Sequence, residues 1–509
     1  MEFTSILDKK DSPFREKPRP AFFRDLNLDQ VIERIRLDWG EEVSAFYSYF
    51  PADRDCSDYR REVLSDMKQN GLYPTLHNFS GVMKERREAA VRKGEAKSGL
   101  QKAVWHLREV GCYCKAFGQL SRRIGEMELK SRGMQAFRCY LQQYLTSEGF
   151  QKMQSDTAGL LKELEGLRLV LTYDEDRITV TEGETEGQYD AFLEKCFPGH
   201  GKSLVSPFLA QTGLVELEEA LLKALRKRKP AFFSGAERFY AEYETYADAV
   251  LIRFAGEIGY YLSFYRFETR MRERGFAFSE PLIAEERSGL RGQTDKEVGM
   301  YARGLYDLAL ACSGKDVVAN DMAIHPGERF LLLTGPNQGG KTTFARSMGQ
   351  LVYFARMGLD VPAVSAAVYP FTDIVSHFSV EESVETGRGK LREELERLAD
   401  IMAASMEDGA FLFVIMNELF TTAANFDACI MGKRVLEHFL NRGCRGIYVT
   451  HLSGLAGEDS RLVPLRAMLD GDGRRTFRIE RNTEETRADT GSLVGKHGLT
   501  YRQLKERLA

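Results

Sequence analysis

Two kinds of hydrophobic spacing divide this chain. In the first, apolar residues recur every three or four positions, the spacing that lines one face of a helix. "NLDQVIERIRL" is the first such segment. Leu28, Val31, Ile32 and Ile35 share a face, and Asn27 is a candidate N-cap. From about residue 80 to 165 the text is rich in Lys, Arg, Glu, Ala and Leu and has no proline, the composition of long amphipathic helices. Near residue 167 the period changes. "LRLVLTYDEDRITVTEGE" carries two β-rich runs around Asp174-Glu175-Asp176 and predicts a hairpin. Irregular text with Gly and Pro follows to about 213. Helical text returns at "LVELEEALLKALRKRK" and again from about 235 to 274.

The second kind begins near residue 290. Short apolar runs ("RFLLLT", "AFLFVIM", "RGIYVT") alternate with helical segments, which predicts an α/β domain with a mostly parallel sheet. The boundary falls around "EERSGLRGQTD". The expected domains are therefore 1–290, mainly α-helical with a small β insertion near 167–212, and 291–509, α/β. Residues 1 to about 25 are polar and punctuated by proline and read as an arm or strap.

The bulk numbers narrow the classes. A chain of 509 residues is too long for a single core. It shows no N-terminal signal-type run and no apolar stretch of bilayer length, so a cytoplasmic protein without a membrane partner is expected. Eight cysteines lie scattered, and the pair Cys112 and Cys114 has no second pair near it. That reads as reduced thiols rather than a zinc site or disulfide framework. With a net charge of −4, nucleic acid would have to be held by local patches. Residues 84–102 hold seven Lys or Arg against three Glu, and "KALRKRK" (223–229) has five positives. Both could meet phosphates, and both could equally be solvated helix faces. The aromatic text "RFYAEYETYADAV" and "YYLSFYRFE" has the spacing of helix packing rather than of base stacking. His325 reads as a turn residue and His377 as core or seam.

The chemistry concentrates in "LLLTGPNQGGKTTF". Gly335, Gly340, Lys341 and Thr342 form G-x-x-x-x-G-K-T after an apolar strand and at the start of a helix. In such a loop (Gly335, Pro336, Asn337, Gln338, Gly339, Gly340, Lys341, Thr342, Thr343) backbone N–H groups face phosphates and the helix N-terminus adds partial positive charge. Lys341 would reach the β- and γ-phosphates of ATP and Thr342 would ligate Mg²⁺.

The surrounding residues resemble the MutS family of DNA mismatch-repair ATPases. "GPNQGGKTT" is similar to that family's nucleotide loop, and "VPAVSA" (Val361 to Ala366) to a stretch that follows it. "NELFTTAANFD" aligns without gaps on the family's strand ending in Asp-Glu. "YVTHLSGLA" resembles its Thr-His strand, and "GKHGLTYRQLKERL" its closing helix. In the first half, "FRDLNLDQVIERI" and "YRREVLSDM" look like core segments. The resemblance implies an ABC-type ATPase domain (a P-loop NTPase) in the C-terminal part. Ahead of it would lie a helical core and lever domain with a reduced β clamp. It makes Glu418 the base, His451 the γ-phosphate sensor, and Thr342 with Asn417 the Mg²⁺ side. It places Val317 and Val318 where relatives have an apolar or aromatic residue beside the adenine. It also implies a homodimer with composite sites, in which Gly389 and Lys390 of one chain face the phosphates bound by the other, and DNA as a sequence-independent partner.

Departures from the family pattern count as well. No mismatch-reading or connector domain is expected ahead of the core, and no nuclease-like extension is expected after it. Gly389 stands where the family has a signature Ser, so a hydroxyl to the partner's γ-phosphate is lost, and the Gly389 N–H or the Lys390 ammonium could substitute. Asn417 stands where the family has the strand-end Asp, which removes one negative charge beside the metal. Glu418 keeps the carboxylate, so slow but real hydrolysis is expected. The alternatives are a nucleotide-binding switch with little turnover, or a nucleotide-gated scaffold for a protein or ribosomal partner.

Overall fold

The structure is a computed structural model, which describes residues 3–9, 19–48, 50–51, 53–69, 71–165, 169–174, 177–182, 226–284, 299–378, 390–421, 423–452, 455 and 459–482. The chain falls into two compact units. One comprises Met1–Ile6 and Ser65–Ile258, the other Leu7–Leu64 and Gly259–Ala509.

The first unit is helical, as the three-to-four spacing predicts. Its helices include Leu72–Glu95, Gly99–Gly125, Arg132–Leu145, Glu148–Glu165 and Pro230–Glu242. Ser98 starts the longest of them with a capping box. Its hydroxyl accepts from the Gln101 N–H at 3.2 Å, while the Gln101 side-chain oxygen accepts from the Ser98 N–H at 3.3 Å. Apolar faces meet in a core that includes Leu76, Phe79, Leu107, Val110 and Phe117. The predicted hairpin is present as strands β1 (Leu169–Asp174) and β2 (Arg177–Glu182), antiparallel with Asp174 opposite Arg177. The rest of the expected insertion, 183–212, lies outside the described residues.

The basic stretch 84–102 does not present all its charges to solvent. Arg86 and Lys93 turn inward onto the buried carboxylate of Glu109, at 3.2 and 2.6 Å, and Tyr246 donates its hydroxyl to the same group at 2.9 Å. Burial by itself would raise the Glu109 pKa. Hydrogen bonds from His106, Lys93 and Tyr246 and the charge of Lys93 outweigh it and hold the value at about 2. A folded-state value below the unfolded one stabilises fully above about pH 4.5 and is lost as pH falls toward about 2. Glu109→Gln is therefore expected to cost about 2–3 kcal/mol at pH 7, since two partly exposed cations lose their counter-charge. It should also flatten the fall of the melting temperature between pH 5 and 3. A variant that melts like the wild type across that range would contradict this network.

The second unit is α/β with two sheets. The smaller sheet has the order β3 (Leu282–Ile283), β7 (Ser365–Val368), β4 (Met300–Leu305), β5 (Asn320–Ile324) and is largely antiparallel. The larger runs β12 (Arg475–Arg481), β11 (Leu462–Leu469), β6 (Phe330–Thr334), β10 (Arg445–Val449), β9 (Leu412–Asn417), β8 (Asp373–Phe378). Its strands are parallel except β12, which pairs antiparallel with β11. The three apolar runs of the sequence are β6, β9 and β10, buried along almost their whole length as strands covered on both faces must be.

The helix Lys341–Met357 follows β6, and its side chains are buried nearly all round. Its C-terminal carbonyls are all engaged. Arg61 donates to the Ala355 carbonyl at 3.0 Å, Ser57 to Arg356 at 2.6 Å, and Tyr260 to Met357 at 2.7 Å. The N-terminal residues Leu28, Val31, Ile32 and Ile35 are buried on the helix Leu28–Arg36, as their spacing predicts. Asn27 occupies its N-cap position but in a left-handed conformation that makes no side-chain cap bond. No described helix is long and apolar enough to cross a membrane.

Candidate nucleotide site

Sheet register assembles the site. β6, β10 and β9 lie side by side and parallel, with Val449 opposite both Leu333 and Asn417. Their carboxyl ends therefore deliver the Gly335–Gly340 turn, Thr450-His451 and Asn417-Glu418 to one edge, where ligands of open α/β sheets bind. The ladder is continued beyond the strands by the Thr450 N–H to the Leu333 carbonyl (3.0 Å) and the Glu418 N–H to the Val449 carbonyl (2.9 Å).

The turn itself needs its glycines. Gly335 has φ +131° and Gly340 φ +88°, and a Cβ on Gly335 would lie 2.9 Å from that of Ala467. Gln338 is left-handed too, at φ +59°. The turn delivers the chain into the N-terminus of Lys341–Met357, whose first N–H groups have no intrahelical acceptor. The Lys341 side chain folds back into the turn. Its ammonium donates to the carbonyls of Gly335 (2.9 Å) and Pro336 (3.1 Å) and to the Asn337 side chain (3.4 Å). These partners are all neutral oxygens. Burial lowers the pKa of this lysine, and the Glu418 charge opposes that. A buried cation held by neutral groups at a helix N-terminus is a receptor for an anion.

The Thr342 hydroxyl donates to the Asn417 side-chain oxygen at 3.2 Å, so the two residues assigned to the metal side are adjacent. The Glu418 carboxylate meets His451 Nε2 at 2.8 Å. Mg²⁺ takes oxygen ligands and keeps several waters, using one or two protein groups plus substrate phosphates. The Thr342 and Asn417 oxygens fit that demand, with Asn417 supplying a neutral oxygen instead of a charged one. Gly389 lies outside the described residues. Lys390 begins the helix Lys390–Ala404.

A cavity of about 580 Å³ opens over the turn, inside the range of small-ligand sites. Its lining includes Val317, Val318, Asn337, Lys341, Glu418 and Phe477. Phe477 is a lining residue that the sequence does not announce. It is 45% exposed and left-handed at φ +57°, within β12. Asn320 fixes its backbone, donating to the Phe477 carbonyl (3.1 Å) and accepting from the Ile479 N–H (2.8 Å). "RRTFRIE" carries no periodic signal for this role. Of the five left-handed non-glycine residues among those described, Gln338, Glu418 and Phe477 line the cavity. Such conformations cluster at functional sites. His377, expected as core or seam, is buried on β8, and burial, with the Arg397 charge adding to it, brings its pKa down to about 4.

Strand, glycine-rich turn and helix, with a buried lysine, a threonine and a strand-end carboxylate, make up the candidate site of the α/β unit. Residues 331–470 match the family model of MutS domain V, so this segment is similar to the MutS family. Similar curated proteins include the DNA mismatch repair protein MutS of Thermotoga sp. (strain RQ2), 25% identical over 180 residues, 35% of this chain and 21% of that protein. The endonuclease MutS2 of Thermus thermophilus is 30% identical over 191 residues, 36% of this chain and 23% of that protein. The DNA mismatch repair protein MSH6 of Arabidopsis thaliana is 32% identical over 142 residues, 27% and 10% respectively. The chain thus spans less than a quarter of the length of these relatives.

Proposed function

We propose that this chain is a MutS-like, DNA-binding ATPase in which ATP binding and slow hydrolysis at a homodimer seam drive conformational change on DNA. In this reading 291–509 is an ABC-type ATPase domain (a P-loop NTPase) and 1–290 a helical core and lever domain. The observation that carries it is the buried Lys341 ammonium, held by neutral oxygens in a left-handed glycine-rich turn at the start of a helix. The turn's N–H groups and Lys341 would hold the β- and γ-phosphates. Glu418 would take a proton from the attacking water, and His451, 2.8 Å from that carboxylate, would orient it and sense the γ-phosphate. Bound Mg²⁺ would neutralise phosphate charge, held from the protein side by Thr342 and Asn417. Gly389 and Lys390 would face the partner's phosphates. Relatives whose names state DNA mismatch repair support DNA as the partner.

Asn417 favours a second reading, a nucleotide switch or scaffold with little turnover, because it removes a charge beside the metal. Asn417→Asp separates the two. With the charge restored next to Thr342, the Mg²⁺ concentration for half-maximal phosphate release is expected to fall roughly tenfold, about 1.4 kcal/mol, with faster turnover. Identical Mg²⁺ curves for both proteins would remove the metal role from this position.

A further inference from the structure

The turn after β9 is held in an unfavourable conformation by a residue from elsewhere in the chain. Glu418 has φ +55° and Phe420 φ +60°, so two bulky residues within three positions are left-handed. Such residues persist only where their surroundings over-determine them. On one side the Glu418 N–H is tied to the Val449 carbonyl of β10 at 2.9 Å. On the other, the Phe420 N–H donates to the Glu394 carboxylate at 2.8 Å, in a buried bond. Glu394 sits in the helix Lys390–Ala404, one turn from its start. The Phe420 ring is 2% exposed and belongs to the same apolar cluster as Leu398 and Ile401 of that helix. Arg397 anchors the helix in turn, donating to the Ser376 carbonyl of β8 at 3.2 Å and pairing with Asp25. A carboxylate on a backbone N–H is a strong bond, and leaving that N–H unpaired in an apolar cluster is unfavourable.

We infer that Glu394 is a positioning residue: its carboxylate fixes the left-handed turn that carries Glu418, so the helix Lys390–Ala404 sets where that carboxylate lies. The consequence for hydrolysis rests on the reading of Glu418 as the base; the clamp on the turn does not. Glu394 does not touch the cavity. Its loss alters the rate of the chemical step and leaves the turn that grips phosphate intact.

The test compares wild type, Glu394→Ala and Glu394→Gln, since glutamine keeps an acceptor oxygen for the Phe420 N–H. Three quantities are read: phosphate release at saturating Mg²⁺-ATP, affinity for a fluorescent ATP analogue, and hydrogen exchange of the backbone amides at 418–421. With alanine, turnover is expected to fall at least about tenfold at an affinity within about twofold of wild type. Exchange at Phe420 should rise by a similar factor. Glutamine should return both to near wild type. Unchanged exchange at Phe420 in the alanine variant overturns the inference. So does a parallel loss of affinity and turnover that glutamine fails to rescue. If wild-type release is no faster than that of Lys341→Ala, the reading of Glu418 as base fails on its own, and the exchange data still decide whether Glu394 holds the turn.

Discussion

Glu418→Gln is expected to lower steady-state phosphate release by about 100-fold or more, the range for loss of a general base, while ATP affinity stays within a few-fold of wild type. Lys341→Ala is expected to fail differently. It removes the buried ammonium that the turn holds through the Gly335 and Pro336 carbonyls, so affinity itself should drop by roughly 100-fold. The two losses are separable because the two side chains have different surroundings. Lys341 is buried inside the turn, whereas Glu418 projects at the end of β9 and is reached by His451. Measuring affinity with a fluorescent analogue alongside phosphate release distinguishes them. Equal loss of affinity in both variants would place Glu418 in ground-state binding and remove it from the chemical step.

Gly358→Ala should be among the most destabilising single changes in the second unit. Gly358 ends the helix Lys341–Met357 at φ +77°, and the Leu359 N–H reaches back to the Phe354 carbonyl at 3.0 Å, a Schellman-type stop. A Cβ there would stand 2.5 Å from the Ser57 carbonyl oxygen and 2.7 Å from Arg60 Cβ. Left-handed strain and overpacking together should cost about 3 kcal/mol, seen as a fall of about 6 °C or more in melting temperature. Gly358→Asn is the informative companion. Asparagine tolerates the backbone conformation but carries the same Cβ, so most of the loss should remain. A loss below about 1 kcal/mol in both variants would mean that Ser57 and Arg60 do not pack on this helix end as closely as described.

Much of the site could be read from the chain before any coordinates. The G-x-x-x-x-G-K-T spacing, with an apolar run before it and helical text after it, located Lys341 and Thr342 because short-range geometry alone demands glycines there. The apolar runs of β6, β9 and β10 announced buried parallel strands, and their register explains why Asn417, Glu418 and His451 share one edge with the turn. What remained hidden depends on distant partners. The text "YRREVLSDM" resembles a core segment but assigns no partner to Arg60 or Arg61. Arg60 donates to the Leu7 carbonyl and Arg61 caps the end of Lys341–Met357. Arg86 and Lys93 read as part of a basic face, and a buried Glu109 claims both. Phe477 reaches the cavity through a left-handed residue inside a polar strand, and Glu394 is one acid among several in "KLREELERLAD". Neither has a periodic signature, because each acts on a neighbour far along the sequence.

The most direct measurement is steady-state phosphate release by the purified protein with Mg²⁺ and ATP, with and without duplex or branched DNA, against Lys341→Ala as the blank. Release well above the blank, lost in Glu418→Gln and increased by DNA, is the expected result for a MutS-like ATPase acting on DNA. Release equal to the blank while ATP still binds, and no response to DNA, would contradict that function and leave Asn417 as the mark of a nucleotide switch.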